Sequence, residues 1–373
     1  MSALTIHSIE TVIVDLPTSR PHKFKSTTML CQSYVLCRVR TEDGIEGIGE
    51  ATTPGGPWWG GESVETIKAT IDTYLVPELI GQQASRIDLL ADRMDRVAAG
   101  NHFAKSCVEM ALFDAWGKAL GVPVHELLGG LFRESIPVTW ALSAEDADIV
   151  IAEAEDKLAL EGHRSFKLKA GSHSPDRDVA RILAVAKALG ERASVRIDLN
   201  AAWDEATAAR WLPKLEAGGV DLVEQPIPGW NLEALGRLAA QLTIPIMADE
   251  SLRSVQDAYA VGRHAAGDIF SLKLNKLGGL SRTKKTAAVA EAMGVPCHGG
   301  TSIESSIGTA AAAHTYGAIA NVTFGSELFG PKLLADGIVE EPLVYDSGEL
   351  RVPRGPGLGI SLDEAKLTKY QRL

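Results

Sequence analysis

The sequence predicts an α+β domain followed by a closed (β/α) barrel, on three observations. Strand-like runs cluster in residues 4–50 and then give way to helical patterns. After Ser135, short β-branched or apolar runs alternate with Ala- and Leu-rich helical stretches. Eight such runs follow at nearly constant spacing. With Trp140, Lys167, Asp198, Glu224, Asp249, Lys273, His298 and Phe324 as markers, the steps are 27, 31, 26, 25, 24, 25 and 26 residues. A repeat of that length is one βα unit, and eight strands in a row suit a TIM-type (β/α)8 barrel better than an open sheet.

The first domain, residues 1–127, opens with LTIHSIETVIVDL, QSYVLCRVRT and EGIGEATT. YVLCRVR alternates apolar and polar residues as a half-buried strand does, and Asp43-Gly44 after it signals a hairpin. Helical patterns follow over residues 63–79 and 104–120, before Gly129-Gly130 breaks the chain. The barrel runs over 128–345, its strands carried by IPVTWAL, SFKLKA, SVRIDLN, DLVEQP, IPIMADES, IFSLKLNK, VPCHGG and NVTFGSE. That length is short for the fold and leaves little room for an eighth helix, so the modified form (β/α)7β is expected. No G-x-G-x-x-G or Walker loop follows any strand, which argues against nucleotide binding. Residues 346–373 form a C-terminal segment.

Composition narrows the partners. The 373 residues are 45% hydrophobic and 23% charged, with 37 Lys plus Arg against 48 Asp plus Glu and a net charge of −11. No basic excess is present to meet nucleic acid or an anionic membrane, so a small-molecule partner is expected. Cys31, Cys37, Cys107 and Cys297 contain no C-x-x-C pair, which predicts a reduced, cytoplasmic protein without a disulfide framework or zinc site. Glu10 and Asp15 interrupt the N-terminus where a signal peptide would be apolar, and no run reaches the roughly 18 apolar residues of a membrane span. The Ala-rich run 309–320, interrupted by His314, reads as a packed helix.

The barrel strands carry charges that buried strands avoid: Lys167 and Lys169, Asp198 beside Asn200, Glu224, Asp249 with Glu250, Lys273, and Glu327. Each lies towards the C-terminal end of its strand, the face where such barrels place their active sites. Lys167 and Lys169 are two apart and share one side. They fall on the second strand and Lys273 on the sixth, diametrically opposite in an eight-membered ring, with Asp198, Glu224 and Asp249 on the arc between. One acid at a strand end is as often a helix cap or surface ion pair, but six charges in register are a site.

Three carboxylates converging on one mouth need a cation, and hard oxygen ligands suit Mg²⁺ or Mn²⁺ rather than zinc. Such a site suits proton transfer next to a carboxylate, with the metal stabilising the enediolate charge. A free lysine, with pKa about 10.4, is a poor base at neutral pH. Lys167 is expected to lower the pKa of Lys169, and burial to lower both.

The K-x-K of Lys167 and Lys169, Asp198, Glu224 in EQP, Asp249 in ADES and Lys273 in LKLNK resemble, in order and spacing, the enolase superfamily in its muconate lactonizing enzyme subgroup. The resemblance spans essentially the whole chain. It implies a capping domain with lid loops near 15–29 and 49–60, and a C-terminal segment returning to that cap. It also implies Asp198, Glu224 and Asp249 as metal ligands, Lys169 and Lys273 as the acid/base pair, and Lys167 as the residue that tunes Lys169. DLPTSRPHKFKSTTM at 15–29, GEATTPGG at 49–56 and SELFGP at 326–331 lean towards the cycloisomerase branch. The reaction implied is closure of cis,cis-muconate to muconolactone through a metal-stabilised enolate that a lysine protonates. A chlorinated muconate is a close variant. Dipeptide epimerase and o-succinylbenzoate synthase are rivals using the same metal and lysines, and a retired catalyst kept as a binding protein is the non-enzyme alternative. The resemblance also implies a homo-oligomer, often an octamer.

The remaining candidates would meet the substrate. Arg20, His22 and Lys23 form a cationic cluster in the first loop, suited to a dicarboxylate but equally readable as a solvated charge run. Thr52 and Thr53, or Trp58 and Trp59, could line the lid, and Asn200 sits beside Asp198 at the mouth. Thr301-x-x-Glu304 reads as a capping box that starts a helix, placing Thr301 and Ser302 at an N-terminus that would favour a substrate carboxylate. Glu327 joins the catalytic set, either as the strand-8 partner of Lys273, the expected role, or as an acid standing behind the site. His298, His102 and His125 show no ligand spacing and read as structural.

Overall fold

The computed structural model describes residues 4–23 and 28–372, without the side chain of Lys23. Three antiparallel strands open the chain: β1 (Ile6–Lys23), β2 (Thr28–Thr41) and β3 (Glu46–Thr52). The β2–β3 turn falls at Asp43-Gly44, as read. Residues 15–23 differ from expectation. They continue β1 in extended pairing, with His22 opposite Met29 and Lys23 opposite Thr28, so the expected first lid loop is the far end of a long hairpin. Residues 24–27 of that expected loop lie outside the described residues.

The meander packs on helix His102–Leu120, which is buried on nearly every side. Contact is close because β3 presents glycines. A Cβ on Gly49 would stand 2.0 Å from the Cys107 carbonyl oxygen, and one on Gly47 2.1 Å from that of Ala111. A helical run over residues 64–79, capped by Ser63, includes a π-helical turn at Ile71–Leu75. Helix Ile87–Val97, which the sequence reading passes over, completes this layer through Ile87, Leu90 and Met94.

The strand β4 (Ser135–Pro137) leads into eight parallel strands. These are β5 (Trp140–Ala141), β6 (Ser165–Lys169), β7 (Ser194–Asp198), β8 (Leu222–Glu224), β9 (Ile246–Ala248), β10 (Ile269–Leu272), β11 (Cys297–Gly299) and β12 (Val322–Ser326). They neighbour one another in sequence order. A parallel bridge between Val138 and Ser326, with the Thr139 N–H donating to the Ser326 carbonyl at 2.7 Å, closes the ring. Seven strands are followed by helices of eight residues or more, whereas β12 is followed only by the four-residue Gly330–Leu333. The barrel is therefore (β/α)7β.

The chain then forms a hairpin, β13 (Tyr345–Asp346) and β14 (Glu349–Arg351), that adds to β4. Helix Glu364–Tyr370 follows, and the Arg372 guanidinium meets the Asp15 carboxylate at 2.6 Å. The Arg372 N–H donates to the Ile13 carbonyl at 2.8 Å, so the C-terminal segment ends on β1. The Ala-rich stretch forms helix Ser306–Gly317, with all twelve residues buried. Among the described residues no helix is long and apolar enough to cross a membrane. Cys31 is exposed, the other cysteines are buried, and all four are free thiols.

Candidate active site

Parallel pairing sets the site in register. Lys169 pairs with Asp198, and Asp198 with Glu224, so one row of residues runs across the ends of β6, β7 and β8. Asp249, Lys273 and Glu327 each follow the last residue of their strands, β9, β10 and β12. A narrow pocket above them is lined by Lys167, Lys169, Asn200, Lys273, Thr301 and Glu327, with Ala141, Ile303 and Phe329. His22, Pro54, Trp58 and Trp59 of the first domain close it from above.

The charges are matched pair by pair. Lys167 donates to Glu224 at 2.9 Å and to Glu327 at 2.5 Å, and stands 3.5 Å from Asp198. Lys169 donates to Asp198 and, at 3.0 Å, to Asn200. Asp249 takes Lys273 at 2.6 Å on one oxygen and Lys276 at 2.7 Å on the other. Burial would lower the pKa of Lys167, but Glu224, Glu327 and Asp198 outweigh it and hold the group well above the usual lysine range. The expected downward shift of Lys167 is thus reversed, because the sequence reading weighed burial and lysine repulsion but not the carboxylates on this ammonium. Lys273 is likewise held high, with burial overcome chiefly by Asp249. Burial raises the Asp249 carboxyl, yet Lys273 and Lys276 bring it well below the usual range. Glu224 goes the other way: burial, then repulsion from Asp198, pushes it up to about 8 despite Lys167.

These residues fit a divalent cation by chemistry. The donors are carboxylate oxygens, and Glu224 Oε1 is buried with no hydrogen-bond partner among the described residues. No group of three or more His, Cys, Asp or Glu side chains among the described residues is already posed to hold a metal ion. The reason is visible in the ion pairs. Asp198, Glu224 and Asp249 are turned onto lysine ammoniums, whose charge balances theirs.

Other expectations need correction. Glu327 does not partner Lys273; its oxygens meet Lys167 at 2.5 Å and His298 at 3.2 Å, the arrangement of the second reading, an acid behind the site. Strand order fixed its direction around the ring but not which ammonium its side chain reaches. The helix after β11 is capped by Ser305 rather than Thr301. Thr301 instead donates to Glu304 within the loop, and Ser302 is buried and does not line the pocket. His22 and Arg20 lie on β1, not in a loop. Burial first, then Lys169, Arg20 and Lys167, lower His22 to about 3, so its ring is neutral and not part of a cationic cluster. Arg20 is paired with Glu153 at 3.0 Å, and the Lys23 side chain lies outside the described residues. Thr52 and Thr53 are buried and do not line the pocket.

Sequence reasoning gave no role in the site to four supporting groups. Lys276 completes the clamp on Asp249, and its spacing of three from Lys273 was the available signal. Glu250 accepts from the Trp59 indole N–H and from Asn200, each at 3.0 Å, tying Trp59 of the first domain to the barrel. The Trp59 ring also faces Lys273, whose ammonium is 4.4 Å from its centroid. His298 and Arg196 stand beneath Glu327, with no local motif to mark them.

Comparison with protein families places this geometry. Residues 8–129 match the mandelate racemase / muconate lactonizing enzyme N-terminal domain, and residues 150–366 match the enolase C-terminal domain-like family. The chain belongs to the enolase superfamily, in its mandelate racemase / muconate lactonizing enzyme branch. It is 48% identical over 372 residues to muconate cycloisomerase 1 of Rhodococcus opacus, covering 100% of both chains. It is 44% identical over 369 residues to a chloromuconate cycloisomerase of Delftia acidovorans, covering 99% of this chain and 100% of that one. A crystal structure of muconate lactonizing enzyme from Pseudomonas fluorescens complexed with muconolactone matches with TM-score 0.98 at 50% identity, covering 99% of this chain and 100% of that one. The structure of 2-chloromuconate cycloisomerase from Rhodococcus opacus 1CP gives TM-score 0.97 at 51% identity with the same coverage.

Proposed function

We propose that the chain is a divalent-metal-dependent cycloisomerase that closes cis,cis-muconate to muconolactone. The observation that carries this is the pair Lys169 and Lys273, four strands apart in the ring and lining one pocket, with Asp198, Glu224 and Asp249 on the strands between. Full-length similarity to muconate cycloisomerases supports the substrate.

Asp198, Glu224 and Asp249 would hold Mg²⁺ or Mn²⁺, which when bound supplies Lewis acidity towards a substrate carboxylate. The chain's own groups do the rest. Trp58, Trp59 and Phe329 wall the pocket with apolar surface and exclude water from the diene. Neutral His22 and the Asn200 amide offer hydrogen bonds that orient the two carboxylates, and Thr301, whose hydroxyl is spent on Glu304, walls the pocket. One substrate carboxylate oxygen bonds to the diene carbon that closes the five-membered ring, and the electron pair moves towards the second carboxylate. A lysine ammonium, Lys169 or Lys273, then delivers its proton to the carbon beside that second carboxylate. Lys167, kept positive by Glu224 and Glu327, sets a fixed charge beside Lys169.

A chlorinated muconate is the second reading, favoured by the likeness to chloromuconate cycloisomerases. Mixing the protein with Mn²⁺ and muconate, chloromuconates or dipeptides in parallel separates these readings. Loss of the muconate ultraviolet absorption is expected, and no change at high enzyme concentration would overturn the proposal.

A further inference from the structure

Beneath the lysines a polar column runs into the barrel interior, where branched aliphatic side chains are the rule. His298, at the centre of β11, is fully buried there. Its Nδ1 is 3.0 Å from the Phe324 carbonyl oxygen, which can only accept, so Nδ1 carries the hydrogen. Its Nε2 faces Glu327 Oε1 at 3.2 Å. An imidazole lone pair and a carboxylate oxygen do not face each other without a proton between them, so this contact holds one. The other Glu327 oxygen accepts from Lys167 at 2.5 Å. Arg196, on β7, donates to the same Phe324 carbonyl at 3.0 Å and lies 3.5 Å from His298 Nδ1. Glu327 and Arg196 are the charged groups facing the ring. Glu327 and His298 therefore share a proton, and the Glu327 carboxyl group is gripped at both ends, by the Lys167 ammonium above and the His298 ring below.

We propose that His298 is a positioning residue of the lysine site: it fixes Glu327, and through it Lys167, in the pose that the reaction uses. His298 does not line the pocket and acts only through these groups. The inference rests on the reading of this pocket as a cycloisomerase site. It implies that a group able to donate at the Nε2 position is needed, whereas filling the Nδ1 side alone is not enough.

The test compares His298→Asn with His298→Gln in the full-length, Mn²⁺-loaded enzyme, following muconate turnover across pH. Asparagine can still donate towards Phe324 but is too short for Glu327; the glutamine amide extends to about the Nε2 position. His298→Asn is expected to lower kcat about tenfold, the worth of one hydrogen bond to a charged group, with KM within about twofold and the pH profile displaced. His298→Gln should restore most of kcat. In protein labelled with ¹⁵N-histidine, the Nε2 resonance, assigned by its loss in His298→Asn, should shift in Glu327→Gln. Equal kcat and pH profiles for the Asn and Gln variants, or an Nε2 shift that ignores Glu327→Gln, would overturn the assignment. If the parent enzyme leaves muconate untouched, the cycloisomerase reading fails, while the NMR comparison still decides whether His298 holds Glu327.

Discussion

His314 and His125 form a stacked ring pair that joins three parts of the chain, and its acid response can be worked out. The Nδ1 atoms of the two rings are 2.9 Å apart, and His314 Nε2 lies 3.2 Å from the Leu358 carbonyl of the C-terminal segment. That carbonyl accepts, so His314 carries its hydrogen on Nε2 and accepts from His125 at Nδ1. Burial first, opposed only by the Leu358 hydrogen bond, lowers the His314 pKa to about 3. In the unfolded chain an imidazole titrates at about 6.5. Below that pH the unfolded state binds a proton that the folded state refuses, so stability falls as pH falls. It is fully present above about 6.5 and lost at up to about 1.4 kcal/mol per pH unit down to about 3. Between pH 7 and 5 the loss from this ring is about 2 kcal/mol. His314→Gln, whose amide can still donate towards Leu358, should remove that increment. The assay is urea unfolding of parent and variant at pH 7 and pH 5, taking the difference of differences so that His22 and other groups cancel. Equal pH dependence in the two proteins would refute a buried neutral ring.

Three substitutions test other parts of the structure. Gly49→Ala would set its Cβ 2.0 Å from the Cys107 carbonyl oxygen, backbone that moves only with the whole helix. A stability loss of about 3 kcal/mol or more is expected in urea unfolding, and a neutral result would contradict the close approach of β3. Trp59→Phe keeps a ring beside Lys273 but loses the indole bond to Glu250 at 3.0 Å. Steady-state kinetics with muconate should show KM raised about tenfold with a smaller change in kcat, as expected for a lid latch worth one charged hydrogen bond. Lys276→Met strips one of the two ammoniums from buried Asp249 and leaves Lys273, so metal-free urea unfolding should report a loss of about 1.5–3 kcal/mol, the worth of one hydrogen bond to a charged group.

The barrel was legible in the sequence because its signal repeats. The spacing of strand markers survives any single ambiguous element, and Lys169, Asp198 and Glu224 fall in one register row because parallel pairing keeps equivalent positions level. Direction around the ring followed from strand order, but reach did not. Glu327 turns to Lys167 rather than Lys273 because side-chain length and competing partners decide the pairing. His298 had the same spacing as the charged markers, yet an imidazole is read as a site only when its partners are known, and these lie on β12 and beyond it. In the first domain, residues 15–23 looked irregular because Pro17, Pro21 and mixed polarity hide a strand whose ladder partner is β2. The helix start at 301–306 offered hydroxyl residues at four of its six positions, and local pattern could not choose Ser305 over Thr301.

The central claim is that a lysine of this pocket protonates muconate as its lactone closes. The direct measurement is turnover of cis,cis-muconate with Mn²⁺ in D₂O, followed by proton NMR of the product. Muconolactone should form with one deuterium on a single face of the methylene carbon beside the free carboxylate, and Lys169→Ala with Lys273→Ala should abolish the product. Absence of muconolactone from the parent enzyme, or label spread equally over both faces, would contradict it.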